Sequence, residues 1–216
     1  KFPIMKNNWK PLPPETFDIP VHEIRRGYRS DVYFWRSKVV LEQASLNRSV
    51  LMQIFQKKDA ILCGVDEALA ILNLGTGHYK DRKKAYKLFD IYINQKKEIR
   101  TYYYNSKKKM LDAQKVHLET SSELDEMWEN TSSDLSLKTL RDGDTVSSWE
   151  TVMTIEGQIT EFVHLETIYL GVLARRTKVA TNVRCVVEAA NGKPVMYFPA
   201  RFDHWFMQGG DGYAAK

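Results

Sequence analysis

The sequence predicts an α/β fold, and three observations carry the prediction. An alternating run from Arg48 to Lys57 reads as a strand and is followed by a helical spacing over 65–74. A stripe at steps of three and four runs through Ile159, Phe162, Val163, Glu166, Tyr169, Leu170 and Leu173. A second helical pattern begins near Lys178, ends at Asn191-Gly192, and feeds a short apolar run, Pro194–Phe198, that reads as a buried strand.

Taken in order, residues 1–20 hold Pro3, Pro11, Pro13, Pro14 and Pro20, which predicts an irregular lead-in packed by Phe2, Trp9 and Phe17. His22 to Arg36 has helical spacing, with Tyr28, Val32 and Trp35 on one side. In the strand that follows, Val50, Met52 and Ile54 face one way and Leu51 and Phe55 the other, so both faces are expected to be covered. Ile61–Gly64 turns the chain into a helix on Val65, Leu69 and Leu72, and strands followed by helices suggest a sandwich. From Thr131 a polar connection leads to a turn at Arg141-Asp142-Gly143-Asp144 and a strand over Val152–Ile155.

With 216 residues, 43% of them hydrophobic and 12% aromatic, the chain is long enough for one large core or two smaller ones and is not a disordered sequence. Cys63 and Cys185 lie far apart without metal-ligand spacing, so reduced thiols and a cytoplasmic location are expected. The longest apolar stretch is broken by His164 and Glu166 and is too short to cross a bilayer, which argues against a membrane protein. Net charge is +5, and His78–His117 alone carries twelve Lys or Arg against four acidic residues. Glu119–Asp134 holds six acidic residues and no basic one, so the two segments are expected to pair as neighbouring helices. Tyrosines interleave with the lysines, a composition that suits single-stranded nucleic acid. No RNA-binding motif accompanies it, and the expected arrangement is a solvated lysine face with aromatics turned inward.

Phe198 and Arg201 stand three apart at the end of the expected last strand. A flat ring could stack on the first, and a carboxylate or phosphate could take a two-pronged hydrogen bond from the second. The plainer alternative is a core phenylalanine and a surface arginine. Glu166 lies within an apolar stripe, where a carboxylate is costly unless paired. Gly209-Gly210-Asp211-Gly212 either offers backbone N–H groups to phosphate or merely turns the chain; it lacks the lysine and serine of a nucleotide loop.

The ordered set Ser30-Asp31-Val32-Tyr33-Phe34, Ile155-Glu156-Gly157, Leu165-Glu166-Thr167, Val179-Ala180-Thr181, Phe198-Pro199-Ala200-Arg201 and Gly209–Gly212 resembles the nicotinate phosphoribosyltransferase family, especially its short archaeal-like branch. It covers roughly residues 22–72 and 140–216. The resemblance implies an α+β sandwich domain over 1–156, with a basic helical insertion at about 78–130, followed at 157–216 by the start of an irregular α/β barrel. It implies a homodimer with a shared active site that joins nicotinate to 5-phosphoribosyl 1-pyrophosphate, with Mg²⁺ and in many members ATP. Tyr33 would cover the pyridine ring of the partner's site beside Asp31, Phe198 would stack on the ring's other face, and Arg201 would hold an anionic group. Pro199 and Phe202 replace the family's usual glycine and second basic residue. The family's catalytic residues are expected beyond Lys216, His204 is given no such role, and the chain is expected to be the amino-terminal half of the enzyme. Competing readings are a nicotinamide or quinolinate phosphoribosyltransferase and a non-catalytic assembly subunit.

Overall fold

The computed structural model describes residues 9–216. Phe2 and Pro3 of the expected lead-in lie outside them. The elements run α1 (Val21–Arg25), α2 (Val32–Gln43), β1 (Ser49–Phe55), β2 (Ala60–Ile61), α3 (Val65–Gly75), β3 (Gly77–Tyr79), α4 (Arg82–Tyr102), α5 (Lys107–Glu126), β4 (Trp128–Asn130), β5 (Ser136–Thr139), β6 (Thr145–Val146), β7 (Thr151–Gln158), α6 (Ile159–Phe162), α7 (Glu166–Ala189) and α8 (Gln208–Ala215). Helices and strands are mixed, as an α/β class requires, and the paired strands are antiparallel.

The main sheet has the order β1-β7-β5. Met52 and Leu137 both lie opposite Ile155, so one row of the sheet presents three apolar side chains to the same face. That face meets α3 and α7, and Ile155, Met153, Ile71, Leu72, Phe162, Leu165 and Tyr169 form the buried centre. Leu51 is 66% exposed and Phe55 42% exposed, so the outer face of β1 is open, contrary to expectation. Antiparallel sheets tolerate this because one apolar face is enough to hold them.

α3 starts where the sequence predicts, for a reason that lies elsewhere in the chain. The Asp142 carboxylate, in the turn before β6, accepts the Val65 N–H at 2.7 Å and satisfies a free donor at the start of the helix. The single helix expected over 22–36 is two, α1 and α2. Gly27 adopts φ +67° in the turn between them, and the Trp35 ring fills the space a side chain there would need. Val32 is exposed rather than sharing Trp35's buried side.

The basic segment is a helical hairpin, α4 against α5, standing on the two-stranded β3–β4 ribbon. Acidic and basic stretches pack together as expected, with Lys84 bridging Glu123, while buried Arg26, from the turn between α1 and α2, donates to Asp125 at 2.6 Å. Tyr79 and Tyr92 turn inward with Trp35 and Trp128 into a second apolar cluster. A polar layer joins this hairpin to the sheet. Lys38, 1% exposed, donates to the carbonyls of Gly77 and Thr160 and lies 3.3 Å from Glu42. Glu161 accepts from Thr131 and pairs with His78, both at 2.8 Å; burial raises its carboxyl pKa, but these bonds bring it below the ordinary value.

His164 is fully buried between Trp35 and Trp128, with Nε2–H on the Gly75 carbonyl at 3.1 Å. Burial, and secondarily Lys38, hold its pKa well below 6.5. The unfolded chain therefore takes up a proton that the folded chain refuses as pH falls through about 6.5. Stability should drop by up to about 1.4 kcal/mol per pH unit below that point, before the carboxylates begin to titrate. Urea unfolding of the wild type and of His164→Gln between pH 7 and 5 tests this. The variant should lose most of the slope, and equal slopes would reject the assignment.

Two expectations near the carboxyl end need correction. The break expected between two helices is absent, because Ala174-Arg175-Arg176-Thr177 contains no residue that breaks a helix and α7 runs through it; the chain divides earlier instead, between α6 and α7 at Val163–Leu165. Val186 and Val187, on its outer turns, are 53% and 49% exposed. Pro194–Phe198 is not a strand: it runs unpaired and exposed, since no described strand lies beside it to satisfy its backbone groups. Gly209–Gly212 is neither a turn nor a loop open to phosphate. It forms the first turn of α8, with the Asp211 carboxylate held by Arg175 and Arg176.

Candidate functional site

Asp31 immediately precedes α2 and faces the start of α7. Its backbone N–H donates to Thr167 Oγ1 at 3.1 Å, and that hydroxyl donates back to the Asp31 carboxylate at 3.0 Å. Ser30 donates to the His164 carbonyl from the same turn. This clamp holds Tyr33, 56% exposed, with its ring 4.2 Å from that of Phe34. Glu166 is half-buried and has no ion-pair partner among the described residues, and burial raises its carboxyl pKa, the cost its place in the apolar stripe predicts.

Phe198 and Arg201 occupy the connection between α7 and α8. Phe198 is 76% exposed. The N–H groups of Phe202 and Asp203 both bond to the Pro199 carbonyl, closing a tight turn, and Arg201 takes φ +76° within it. The four candidates form two pairs, Asp31 with Tyr33 and Phe198 with Arg201. Among the described residues no hydrogen bond, ion pair or ring contact joins one pair to the other.

A cavity of about 580 Å³ lies between the lead-in, α3, α7 and the start of α8, lined by Phe17, Arg29, Ile168, Arg175, Arg176 and Trp205 among others. None of the four candidates lines it. At its end Arg176 pairs with Glu67 at 2.9 Å and Asp211 at 2.6 Å, while Arg175 pairs with Asp211 at 2.7 Å and Asp203 at 2.9 Å. Burial raises the Asp211 carboxyl pKa, but the two guanidinium groups more than reverse this and hold it below the ordinary value. A side chain at Gly210 would meet the Arg176 guanidinium, which would have to shift. Two arginines already face three carboxylates, so an anion could enter only by displacing one of them. The adjacent Arg175-Arg176 pair within an otherwise apolar run was the sequence signal for this cluster, and it was missed.

Cys63 is buried, and its thiol is pushed up to about 12 by burial and by Asp142, so it is not a nucleophile at neutral pH. Among the described residues no three His, Cys, Asp or Glu side chains converge as a metal site. Among the same residues no helix is long and apolar enough to cross a membrane.

No family model matches this sequence, and no curated protein matches it. Among solved structures, it is similar to the nicotinate-nucleotide pyrophosphorylase from Pyrococcus furiosus, with 22% identity, a TM-score of 0.58, and coverage of 89% of this chain and 36% of that one. It is also matched to NadC from Streptococcus pyogenes at 12% identity over 81% of this chain and 45% of the other, with a TM-score of 0.46. A third match is the nicotinate-nucleotide pyrophosphorylase from Francisella tularensis, at 13% identity over 93% of this chain and 52% of the other, with a TM-score of 0.44. The Pyrococcus likeness is one of fold, and the chain spans about a third of that protein's length.

Proposed function

We propose that this chain is part of a phosphoribosyltransferase that forms nicotinate nucleotide from 5-phosphoribosyl 1-pyrophosphate and a pyridine carboxylate. The observation that supports the reading is the fold shared, over 89% of the chain, with a protein described as a nicotinate-nucleotide pyrophosphorylase. The ordered motifs from Asp31 to Gly212 support the same chemistry by resemblance. Quinolinate is the first base to test and nicotinate the second. Both lead to nicotinate nucleotide, quinolinate with loss of a carboxylate, and the neighbour's name specifies that nucleotide rather than the free base used.

In such a reaction the ribose carbon becomes cation-like as pyrophosphate departs, so the protein mainly has to align the pyridine nitrogen and stabilise the leaving anion. Phe198 would stack on the ring, with Tyr33 beside Asp31 reaching across a homodimer to its other face. Arg201 would hold a carboxylate or phosphate, a charged contact worth about 1.5–3 kcal/mol. The exposure of Tyr33, Phe198 and Arg201 leaves each available for such contacts. No step is assigned to Mg²⁺ or ATP.

The test is pyrophosphate release with quinolinate, nicotinate or nicotinamide, with and without ATP and Mg²⁺, by this chain and by any longer product of its gene. Turnover with a carboxylate base supports the proposal; its absence from both proteins under all conditions rejects it. Arg201→Ala should weaken binding of the anionic substrate by roughly tenfold or more. Unchanged affinity by calorimetry would remove Arg201 from the site. The exposed apolar side chains from Val186 to Phe206 favour a second reading, in which another chain covers this face and the present one serves assembly. Tight association without turnover by the complex would select it.

A further inference from the structure

The helical hairpin divides its aromatic residues in a way that the sequence alone does not show. Tyr79, Tyr86 and Tyr92 pack at its base in the second apolar cluster, whereas Tyr103 and Tyr104, at the turn joining α4 to α5, are 62% and 90% exposed. Their rings touch edge to face, with centroids 4.8 Å apart, so they expose separate faces instead of covering one another. Lys107, Lys108 and Lys109 follow at once, and Lys97 and Arg100 lie on the last turns of α4. All five cations are exposed, and among the described residues none forms an ion pair; Arg100 donates to the Tyr28 hydroxyl at 3.2 Å and Lys109 lies 5.4 Å from the centre of the Tyr102 ring. Elsewhere on the hairpin the charges are used: Lys84 with Glu123, Lys96 with Glu23 and Lys115 with Glu119.

Helix stability does not account for the cluster. Three lysines in the first turn of α5 face the positive end of that helix's dipole, where acidic residues are favoured and none is present. Packing does not account for the tyrosines, since neither is buried. The tip therefore combines uncompensated positive charge with two free aromatic faces, complementary to a chain that carries a phosphate and a flat base at each repeat.

We propose that the tip of the α4–α5 hairpin binds single-stranded nucleic acid, with Tyr103 and Tyr104 stacking on bases and Lys107, Lys108, Lys109 and neighbouring cations contacting phosphates. An anionic membrane fits less well, because residues 103–109 contain no aliphatic side chain to insert. The assignment is independent of phosphoribosyl transfer, since among the described residues Tyr103, Tyr104 and Lys107–Lys109 share no hydrogen bond, ion pair or ring contact with Asp31, Tyr33, Phe198 or Arg201.

The test is fluorescence anisotropy of a labelled twelve-nucleotide oligouridine titrated with the whole chain. With about four phosphates neutralised, affinity should fall roughly 50-fold between 50 and 200 mM salt. Lys107→Glu/Lys108→Glu/Lys109→Glu should abolish binding, and Tyr103→Ala/Tyr104→Ala should weaken it at least tenfold while leaving much of the salt dependence. Both variants change exposed positions and should melt with the wild type, which separates lost binding from lost folding. The proposal is overturned by no binding at 50 mM salt, by equal affinities of wild type and both variants, or by retention on phosphatidylserine vesicles without oligonucleotide binding. Failure of the pyrophosphate assay leaves this result unaffected.

Discussion

Lys38→Ala is expected to destabilise the chain by about 3–5 kcal/mol, the usual cost of breaking a buried ion pair by removing one partner. The Lys38 and Glu42 side chains are 1% and 2% exposed, so neither charge has water to fall back on. Burial already lowers the lysine's pKa, with Glu42 opposing the shift. Removing the ammonium leaves Glu42 to Arg82 and Tyr86 alone and takes the donor from the Gly77 and Thr160 carbonyls. Those carbonyls belong to β3 and α6, so the damage reaches the joint between hairpin and sheet. Urea denaturation gives the figure. A Lys38→Met/Glu42→Leu double variant should recover at least half of the loss, because it buries no charge. A loss below about 1 kcal/mol for Lys38→Ala would show that water reaches this pair in solution.

Asp211→Ala is expected to cost about 2–3 kcal/mol, less than the full price of orphaning a buried charge because Arg175 is 36% exposed and keeps Asp203. Arg176, nearly buried, keeps Glu67 and the Met207 carbonyl. The loss should be local to α8, which is otherwise held by Ala214 against Cys63 and Ala180 and by the Tyr213 hydroxyl on Asp142 at 3.3 Å. Hydrogen exchange read by mass spectrometry should therefore show residues 203–216 opening while the main sheet stays protected. The sign with pH follows from the depressed carboxyl pKa. The stabilisation is complete above the unfolded value of about 3.8 and is lost as pH falls through the lower folded value. Uniform acceleration of exchange across the sheet would mean that α8 is not an independent unit.

How much the sequence revealed depended on the distance over which each feature is decided. β1, α3 and β7 were legible because alternation, a three-and-four spacing and a short apolar run are local patterns answered by local packing. The charge blocks of α4 and α5 were legible too, since a stretch with twelve cations and another with none call for one another. The gap between α1 and α2 was not, because it depends on the Trp35 ring standing where Gly27 has no side chain. Nor was the unpaired course of Pro194–Phe198: whether a short apolar run becomes a strand is settled by a neighbouring strand. At the candidate site, Asp31 and Tyr33 sit on a well-built clamp, yet that clamp's partner is Thr167, far along the chain. The Arg175, Arg176, Glu67 and Asp211 cluster draws on three separate segments, and no window of sequence contains it.

α7 is 24 residues long, or about 36 Å of helix. Its first turns are seated in the core through Tyr169 and Leu173, and its middle is pinned to β2 and the adjoining turn by Thr177 on Cys63 and Thr181 on Ile61. Beyond Thr181 the helix is a cantilever carrying Val186 and Val187 in the open. A load on its free end acts through a lever arm of two turns, with the threonine pair as fulcrum. The other side of that lever carries Arg175 and Arg176, so bending the outer end would lift or press the contacts that hold α8 in place.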